Sequence, residues 1–287
     1  MIPSGFDYHA PRSVGDAIQL LGTLGGDAKL LAGGHSLLPM MKLRFAQPAH
    51  LIDLNRIDAL RGIREDGAAV VIGAMTVENE LIRSPLLREK VPLLPEAARQ
   101  IADPQVRNRG TIGGDIAHGD PANDHPALAI ALDAVFVLEG PKGRREVQAE
   151  GFFQGTYMTD MAEDEILVEL RVPAFAPKTG YAYEKLKRKT GDWATAAAAV
   201  VLRLDGGKVS HARIALTNLA PTALRAADAE AVLIGKPLDD ASMADATAKA
   251  MAICDPVEDL RGDRDYKIAM AGQMVRRAIV KAAARCQ

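Results

Sequence analysis

Apolar and polar positions along the chain fall into blocks of two different periods. Val14, Ala17, Ile18, Leu21 and Leu24 stand at helical spacing, which gathers them on one face of a helix. Ser13-Val14-Gly15-Asp16 ahead of them reads as a capping box, and Gly25-Gly26 as the stop. Residues 29–31 predict a short buried strand that runs into Ala32-Gly33-Gly34-His35-Ser36. Ser36 is placed to cap a helix whose apolar positions are Leu37, Leu38, Met40 and Met41, and residues 50–54 predict a second strand. This opening third is β-α-β in character. A more β-rich stretch follows, with a strand over 69–74 and a short helix, capped by Thr76, running through Ile82. A helix over 92–101 is stopped by Asp103-Pro104. After a long glycine-rich loop over 110–125 comes a helix over 126–132, then a hairpin pairing 134–138 with 145–148 across Gly140-Pro141-Lys142-Gly143. Residues 165–172 predict one more strand. The stretch 173–180, with Pro173, Pro177 and Gly180, reads as a linker. Beyond it, strands over 181–187, 194–204 and 210–216 predict a small antiparallel sheet, turning at Asp205-Gly206-Gly207-Lys208. Helices over 222–234, 239–253 and 266–284 close the chain. The predicted fold class is α+β, without internal repeats.

Composition changes this picture only by exclusion. The 287 residues are 48% hydrophobic and 25% charged, with a formal net charge of −2. A chain so balanced has no field to draw it to nucleic acid or anionic lipid. The start, Met1-Ile2-Pro3-Ser4-Gly5-Phe6-Asp7, lacks the basic and apolar regions of a signal peptide, and the smooth apolar run 194–202 is too short to span a bilayer. A cytoplasmic protein is expected. There are two cysteines, Cys254 and Cys286, too few for a disulfide framework or for an iron–sulfur cluster, which takes about four thiolates.

The candidate chemistry lies in the glycines. Gly110, Gly113, Gly114 and Gly119 crowd the stretch Gly-Thr-Ile-Gly-Gly-Asp-Ile-Ala-His-Gly that starts at 110. Glycines permit positive φ and close backbone approach, and successive N–H groups turned to one point make an anion nest. Ala32-Gly33-Gly34-His35-Ser36 looks like the partner bend, and two such bends together suit a pyrophosphate. The site read from them is therefore one for a nucleotide cofactor; ordinary turns are the competing reading. Neither G-x-G-x-x-G nor the P-loop pattern occurs, which speaks against a Rossmann dehydrogenase or a P-loop NTPase. His35 is a candidate donor to phosphate, and Arg107 and Arg109 are candidates to offset its charge, with surface solvation as the alternative. His118, Asp120, Asp124 and His125 raise a metal alternative, but their spacing fits no known ligand pattern, and no metal site is assigned. Asp120 and Asp124 read instead as turn and cap residues or as acceptors for ribose hydroxyls. No nucleophile–base arrangement is visible, and no catalytic residue is nominated.

On the paired motifs Ala-Gly-Gly-His-Ser at 32–36 and Thr-Ile-Gly-Gly-Asp at 111–115, the chain resembles the FAD-binding flavoprotein subunits of the molybdenum hydroxylase (xanthine oxidase) family. Ala-Tyr-Glu-Lys-Leu-Lys-Arg-Lys at 182–189 with Gly-Asp-Trp-Ala-Thr-Ala at 191–196 is most similar to the branch serving aerobic carbon monoxide dehydrogenases as their medium subunit. The resemblance covers essentially the whole chain. It implies a two-part FAD domain of the vanillyl-alcohol-oxidase type, over 1–54 and 55–177, followed by a C-terminal flavoprotein domain over 178–287. Ala32, Gly33, Gly34, His35, Ser36 and Leu37, with Gly110, Thr111, Ile112, Gly113, Gly114, Asp115 and Ala117, are implied at the cofactor, chiefly its pyrophosphate. Ile101 and Ala102 are implied near adenine or isoalloxazine, Asp124 near the ribityl or ribose hydroxyls, and Lys185 and Trp193 near the flavin ring. Relatives often carry Asn in place of Asp115 and Tyr in place of Trp193, so Asp115 is expected to point away from the diphosphate. The implied function is electron relay: from a small iron–sulfur subunit, through FAD, to a quinone-type acceptor, while a large molybdenum subunit oxidises CO with water to CO₂. The implied assembly is a dimer of heterotrimers, open to peripheral membrane association through the complex. Two alternatives stand beside it: the flavin subunit of a hydroxylase for a purine, N-heterocycle or aldehyde, and a flavin-free scaffold of the same fold.

Overall fold

Three larger sheets carry the chain, in the order the strand patterns predict. The computed structural model describes residues 2–286. The first part runs β1 (Asp7–His9), α1 (Val14–Leu24), β2 (Ala28–Leu31), α2 (Leu37–Leu43) and β3 (His50–Asp53). Its sheet has the order β1-β3-β2, with β3 parallel to both neighbours, so the β-α-β reading holds. The unpredicted strand β1 has little apolar pattern and joins through its backbone and the polar side chains of Tyr8 and His9. Ser13 caps α1, its Oγ accepting from the Asp16 N–H at 3.1 Å. Gly25 closes that helix at φ 60°, a conformation that glycine adopts without strain. Ser36 makes no side-chain cap for α2, against expectation.

The middle part continues with β4 (Ile63–Asp66), β5 (Ala69–Gly73), α3 (Glu78–Arg83), α4 (Pro85–Lys90), α5 (Leu93–Ala98), α6 (Pro104–Arg107), α7 (Ile112–His118) and α8 (Asp124–Ala131). It ends with β6 (Val135–Gly140), β7 (Gly143–Gln148), the short pair β8 (Phe153–Gly155) and β9 (Met158–Thr159), and β10 (Ile166–Pro173). The five-stranded sheet β4-β5-β10-β6-β7 is antiparallel throughout. Three expectations change here. Thr76 caps nothing: it is buried, and its hydroxyl spans the N–H and C=O of Gly62 at 3.1 and 3.2 Å. Asp103-Pro104 does more than stop a helix, because Asp103 Oδ1 accepts from the N–H groups of Gln105 and Val106 and starts α6. The stretch expected to be loop contains α7, capped by Thr111 and closed by Gly119 at φ 65°. Two adjacent glycines are poor helix formers, which is why sequence pattern alone reads this segment as irregular.

The last part runs β11 (Thr179–Leu186), β12 (Ala196–Asp205), β13 (Lys208–Thr217), β14 (Leu224–Arg225), α9 (Ala227–Leu233), α10 (Asp240–Ala252) and α11 (Arg264–Ala283). Its antiparallel sheet keeps sequence order. Strand β12 is buried on both faces. Ala197, Ala199 and Val201 join the core of the middle part, while Ala196, Ala198, Val200 and Leu202 join the core under α10 and α11. That double burial explains a strand of small apolar residues without polar alternation. The helix expected from 222 starts only at Ala227, because Leu224 and Arg225 pair with β13.

Candidate functional site: a cleft between two touching bends

Where these parts meet lies a cleft of about 700 Å³, inside the size range of cofactor sites. Its first wall is the bend after β2. Gly34 sits there at φ 78°, and the N–H groups of Gly33, Gly34, His35, Ser36 and Leu37 donate to no acceptor among the described residues. The bend is partly exposed, so these donors are open to solvent or to an anionic ligand, as in an anion nest.

The second bend touches the first. A Cβ on Gly33 would lie 2.4 Å from the carbonyl oxygen of Arg109 and 2.8 Å from Gly110 Cα, so only glycine lets the two backbones meet. The expected pairing of bends is present. Three of the second bend's donors already have partners within the chain: Ile112 N–H on Thr76 O at 3.1 Å, Gly113 N–H on Ala74 O at 2.9 Å, and Gly114 N–H on Thr111 Oγ1 at 3.2 Å. Gly113 is glycine for packing, since a Cβ would stand 2.4 Å from Ala74 Cβ. The first bend offers the amides; the second offers a close, small-residue floor.

Ala32, Gly33, Gly34, His35, Ser36, Leu37, Ile101, Ala102, Gly110, Thr111, Gly113, Gly114, Asp115, Ala117, Asp124, Lys185 and Trp193 all line the cleft. Ile112 does not; it is buried in the core of the middle part. His35 is on the exposed lip. Ala102 holds φ 44°, and the Arg107 guanidinium fixes that turn by donating to Ile101 O at 2.8 Å and Ala102 O at 3.3 Å. Arg107 is thus a structural brace. Trp193 stands half-exposed on the rim with the Arg261 guanidinium 5.5 Å from its ring centroid.

The floor is a buried polar network. Asp124 accepts from Lys185 Nζ at 2.7 Å and from the Tyr183 hydroxyl, so it is neither a cap nor a free acceptor. Next to it His125 Nε2 bonds the Glu78 carboxylate at 2.8 and 3.0 Å, and Asp115 Oδ2 accepts the His125 N–H at 3.3 Å. Asp115 therefore turns away from the free amides, as expected. Asp120 is a turn residue, accepting from Ala122 N–H at 2.9 Å, and His118 packs on the Tyr157 ring. The four residues that raised a metal alternative thus point to separate partners. Glu78 and Tyr183 escape sequence reading because each finds its partner on a distant element, 47 and 59 residues away.

Burial opposes the charge on His125, and Glu78 outweighs it, lifting the imidazole to about 9. Burial lifts Asp115 to about 7, with His125 pulling down and Glu78, Asp124 and Asp120 pushing up. Both pKa values are raised in the fold. The stability from His125 is full below about 6.5 and is lost as pH rises through its folded value; that from Asp115 is full below about 3.9 and is lost towards its own. Asp115→Asn is therefore expected to match the wild type in thermal midpoint near pH 4 and to exceed it near pH 8. A difference that does not change with pH would contradict this reading of Asp115.

The cleft thus fits a dinucleotide: free amides for a diphosphate, a small-residue floor, and an aromatic rim. It offers no nucleophile with a base. This is a cofactor-holding site, and the chain belongs to a family of flavoproteins: it matches the family described as the FAD binding domain in molybdopterin dehydrogenase over residues 4–175. Residues 181–282 match the CO dehydrogenase flavoprotein C-terminal domain. The chain is similar to the carbon monoxide dehydrogenase medium chain of Hydrogenophaga pseudoflava, 70% identical over 100% of both chains. It is 53% identical to the corresponding medium chain of Afipia carboxidovorans, again over 100% of both. A solved structure of carbon monoxide dehydrogenase from Hydrogenophaga pseudoflava, lacking the Mo-pyranopterin moiety of its molybdenum cofactor, superposes with a TM-score of 0.99 and 71% identity over 100% of each chain.

Proposed function

We propose that this chain is the FAD-carrying subunit of a molybdenum-containing carbon monoxide dehydrogenase, taking electrons from an iron–sulfur subunit and passing them to a quinone-type acceptor. The overall reaction is CO + H₂O to CO₂, at a large molybdenum subunit. The observation that carries the reading is the run of unpaired amides from Gly33 to Leu37, pressed against the second bend at Gly110. Full-length identity of 70% and 53% to two carbon monoxide dehydrogenase medium chains supports the substrate.

Bound FAD supplies the exchange between one- and two-electron transfer. The chain's own residues bind and orient. The amides of Gly33 to Leu37 would hold the diphosphate, with Thr111 and Gly114 beside them. Asp124, locked between Lys185 and Tyr183, and Trp193 on the rim would position the rest of the cofactor. Cys254 and Cys286 lie far apart in role: the Cys254 thiol bonds Ala250 O, the Cys286 thiol Leu202 O and Ala282 O. The proposed assembly, in which clusters are held by a partner subunit, is a dimer of heterotrimers. No helix among the described residues is long and apolar enough to cross a membrane; a cytoplasmic location belongs to the same proposal.

The test is purification of the full chain with its natural complex. A yellow preparation with close to stoichiometric FAD, co-eluting with iron–sulfur and molybdenum polypeptides and reducible by CO, is the expected result. A colourless chain that cannot be loaded with FAD would sink the flavin reading. A yellow complex reduced by a purine or an N-heterocycle and not by CO would sink the substrate alone.

A further inference from the structure

The free amides of the first bend are useful only if that bend keeps its distance from the second. Gly33 against Arg109 O stops the two from closing further. A different pair stops them from opening. Asn55, in the turn after β3, donates from Nδ2 to Ala32 O at 3.0 Å, so it grips the first residue of the bend. Its Nδ2 and its backbone N–H both reach Asp53 Oδ1, at 2.6 and 2.9 Å, and Asp53 Oδ2 accepts the Tyr8 hydroxyl at 2.5 Å. On its other side, Asn55 Oδ1 accepts from Arg61 Nη2 at 3.3 Å, and Arg61 Nη1 donates to Met75 O at 3.3 Å. Residues 74 and 76, the neighbours of Met75, are those whose carbonyls seat Gly113 and Ile112 of the second bend.

We infer that Asn55 and Arg61 form a bracket that sets the spacing of the two bends, and that through it the cleft selects a diphosphate-bridged flavin over its shorter forms. The side chain of Asn55 carries the only hydrogen bond to Ala32 O among the described side-chain bonds, and Asn supplies donor and acceptor together. Asp53 alone cannot do this, because a carboxylate only accepts. Neither Asn55 nor Arg61 lines the cleft, so both are positioning residues. The inference rests on the flavin reading of the cleft.

The test uses the full chain stripped of flavin, titrated with FAD, with ADP as a probe holding the diphosphate without the ring, and with riboflavin as a probe holding the ring without phosphate. Asn55→Asp keeps the acceptor for Arg61 and removes the donor to Ala32; Arg61→Met cuts the other half. Each is expected to weaken FAD and ADP by about tenfold, the value of one directed hydrogen bond, and to leave riboflavin unchanged. Asn55→Ser, smaller and uncharged, is the second variant in case a carboxylate beside Asp53 unsettles the fold; unchanged riboflavin binding shows in each case that the site is intact. Wild-type affinity for FAD in these variants, or equal loss for all three ligands, overturns the bracket. A wild-type chain that binds none of the three overturns the flavin reading itself, and the bracket with it.

Discussion

Gly33→Ala is expected to leave the purified protein almost colourless. The added Cβ would lie 2.4 Å from Arg109 O, 2.8 Å from Gly110 Cα and 3.0 Å from Arg109 C. All three are backbone atoms, so no flexible side chain can give way. Overpacking of this kind costs roughly 1–3 kcal/mol. Here that cost falls on the relation between the bends, because the rest of each bend is held elsewhere: Ala32 by Asn55, and the second bend by residues 74–76. FAD affinity is expected to drop on the order of a hundredfold if the upper end of that cost is felt in binding. Gly22→Ala is the matched control. Its Cβ meets nothing within 4 Å and it lies inside α1, where alanine is the better helix former by about 1 kcal/mol. Flavin content after gel filtration, compared between the two variants, is the measurement. Wild-type flavin in Gly33→Ala would mean that contact between the bends does not matter for holding the cofactor. Gly114 faces the same seam, with its Cβ position 2.8 Å from Thr111 Oγ1 and 3.2 Å from Ala32 Cβ, but there a side-chain hydroxyl can rotate away.

What sequence made legible was whatever depends on near neighbours. The two glycine clusters, the β-α-β start, the 140–143 hairpin and the antiparallel strands around Asp205-Gly206 all follow from local chemistry, and all are present. Several local readings still went wrong, among them the caps at Ser36 and Thr76. Thr111 caps Gly113 and Gly114 into a helix, its Oγ1 taking the Gly114 N–H, while tertiary acceptors at Thr76 and Ala74 take the amides of Ile112 and Gly113, and propensity cannot foresee such partners. The floor of the cleft was legible only in part. Asp124 and Lys185 were placed at the site through family likeness, but their bond to each other spans 61 residues. Glu78 and His125 are 47 apart, and Asn55 and Ala32 are 23 apart on different elements. A polar residue's partner is set by topology, and no spacing rule along the chain contains it.

Lys185→Met is expected to be the most destabilising single change in the floor of the cleft. The Lys185 side chain is 1% exposed and that of Asp124 6%, so removing the ammonium leaves a carboxylate in low-dielectric surroundings with only the Tyr183 hydroxyl to support it. Breaking one side of such a buried pair costs about 3–5 kcal/mol, far more than a surface ion pair would. Asp124→Asn added to Lys185→Met removes the stranded charge and is expected to recover most of the loss, a coupling that a double-mutant cycle reads directly. Urea unfolding of the four chains at neutral pH makes the measurement. If the second substitution adds its own cost instead of offsetting the first, then the lysine acts by filling space and not by neutralising Asp124. In that case the floor of the cleft owes its shape to packing, and Asp124 can no longer be the fixed point from which the position of the ring is argued.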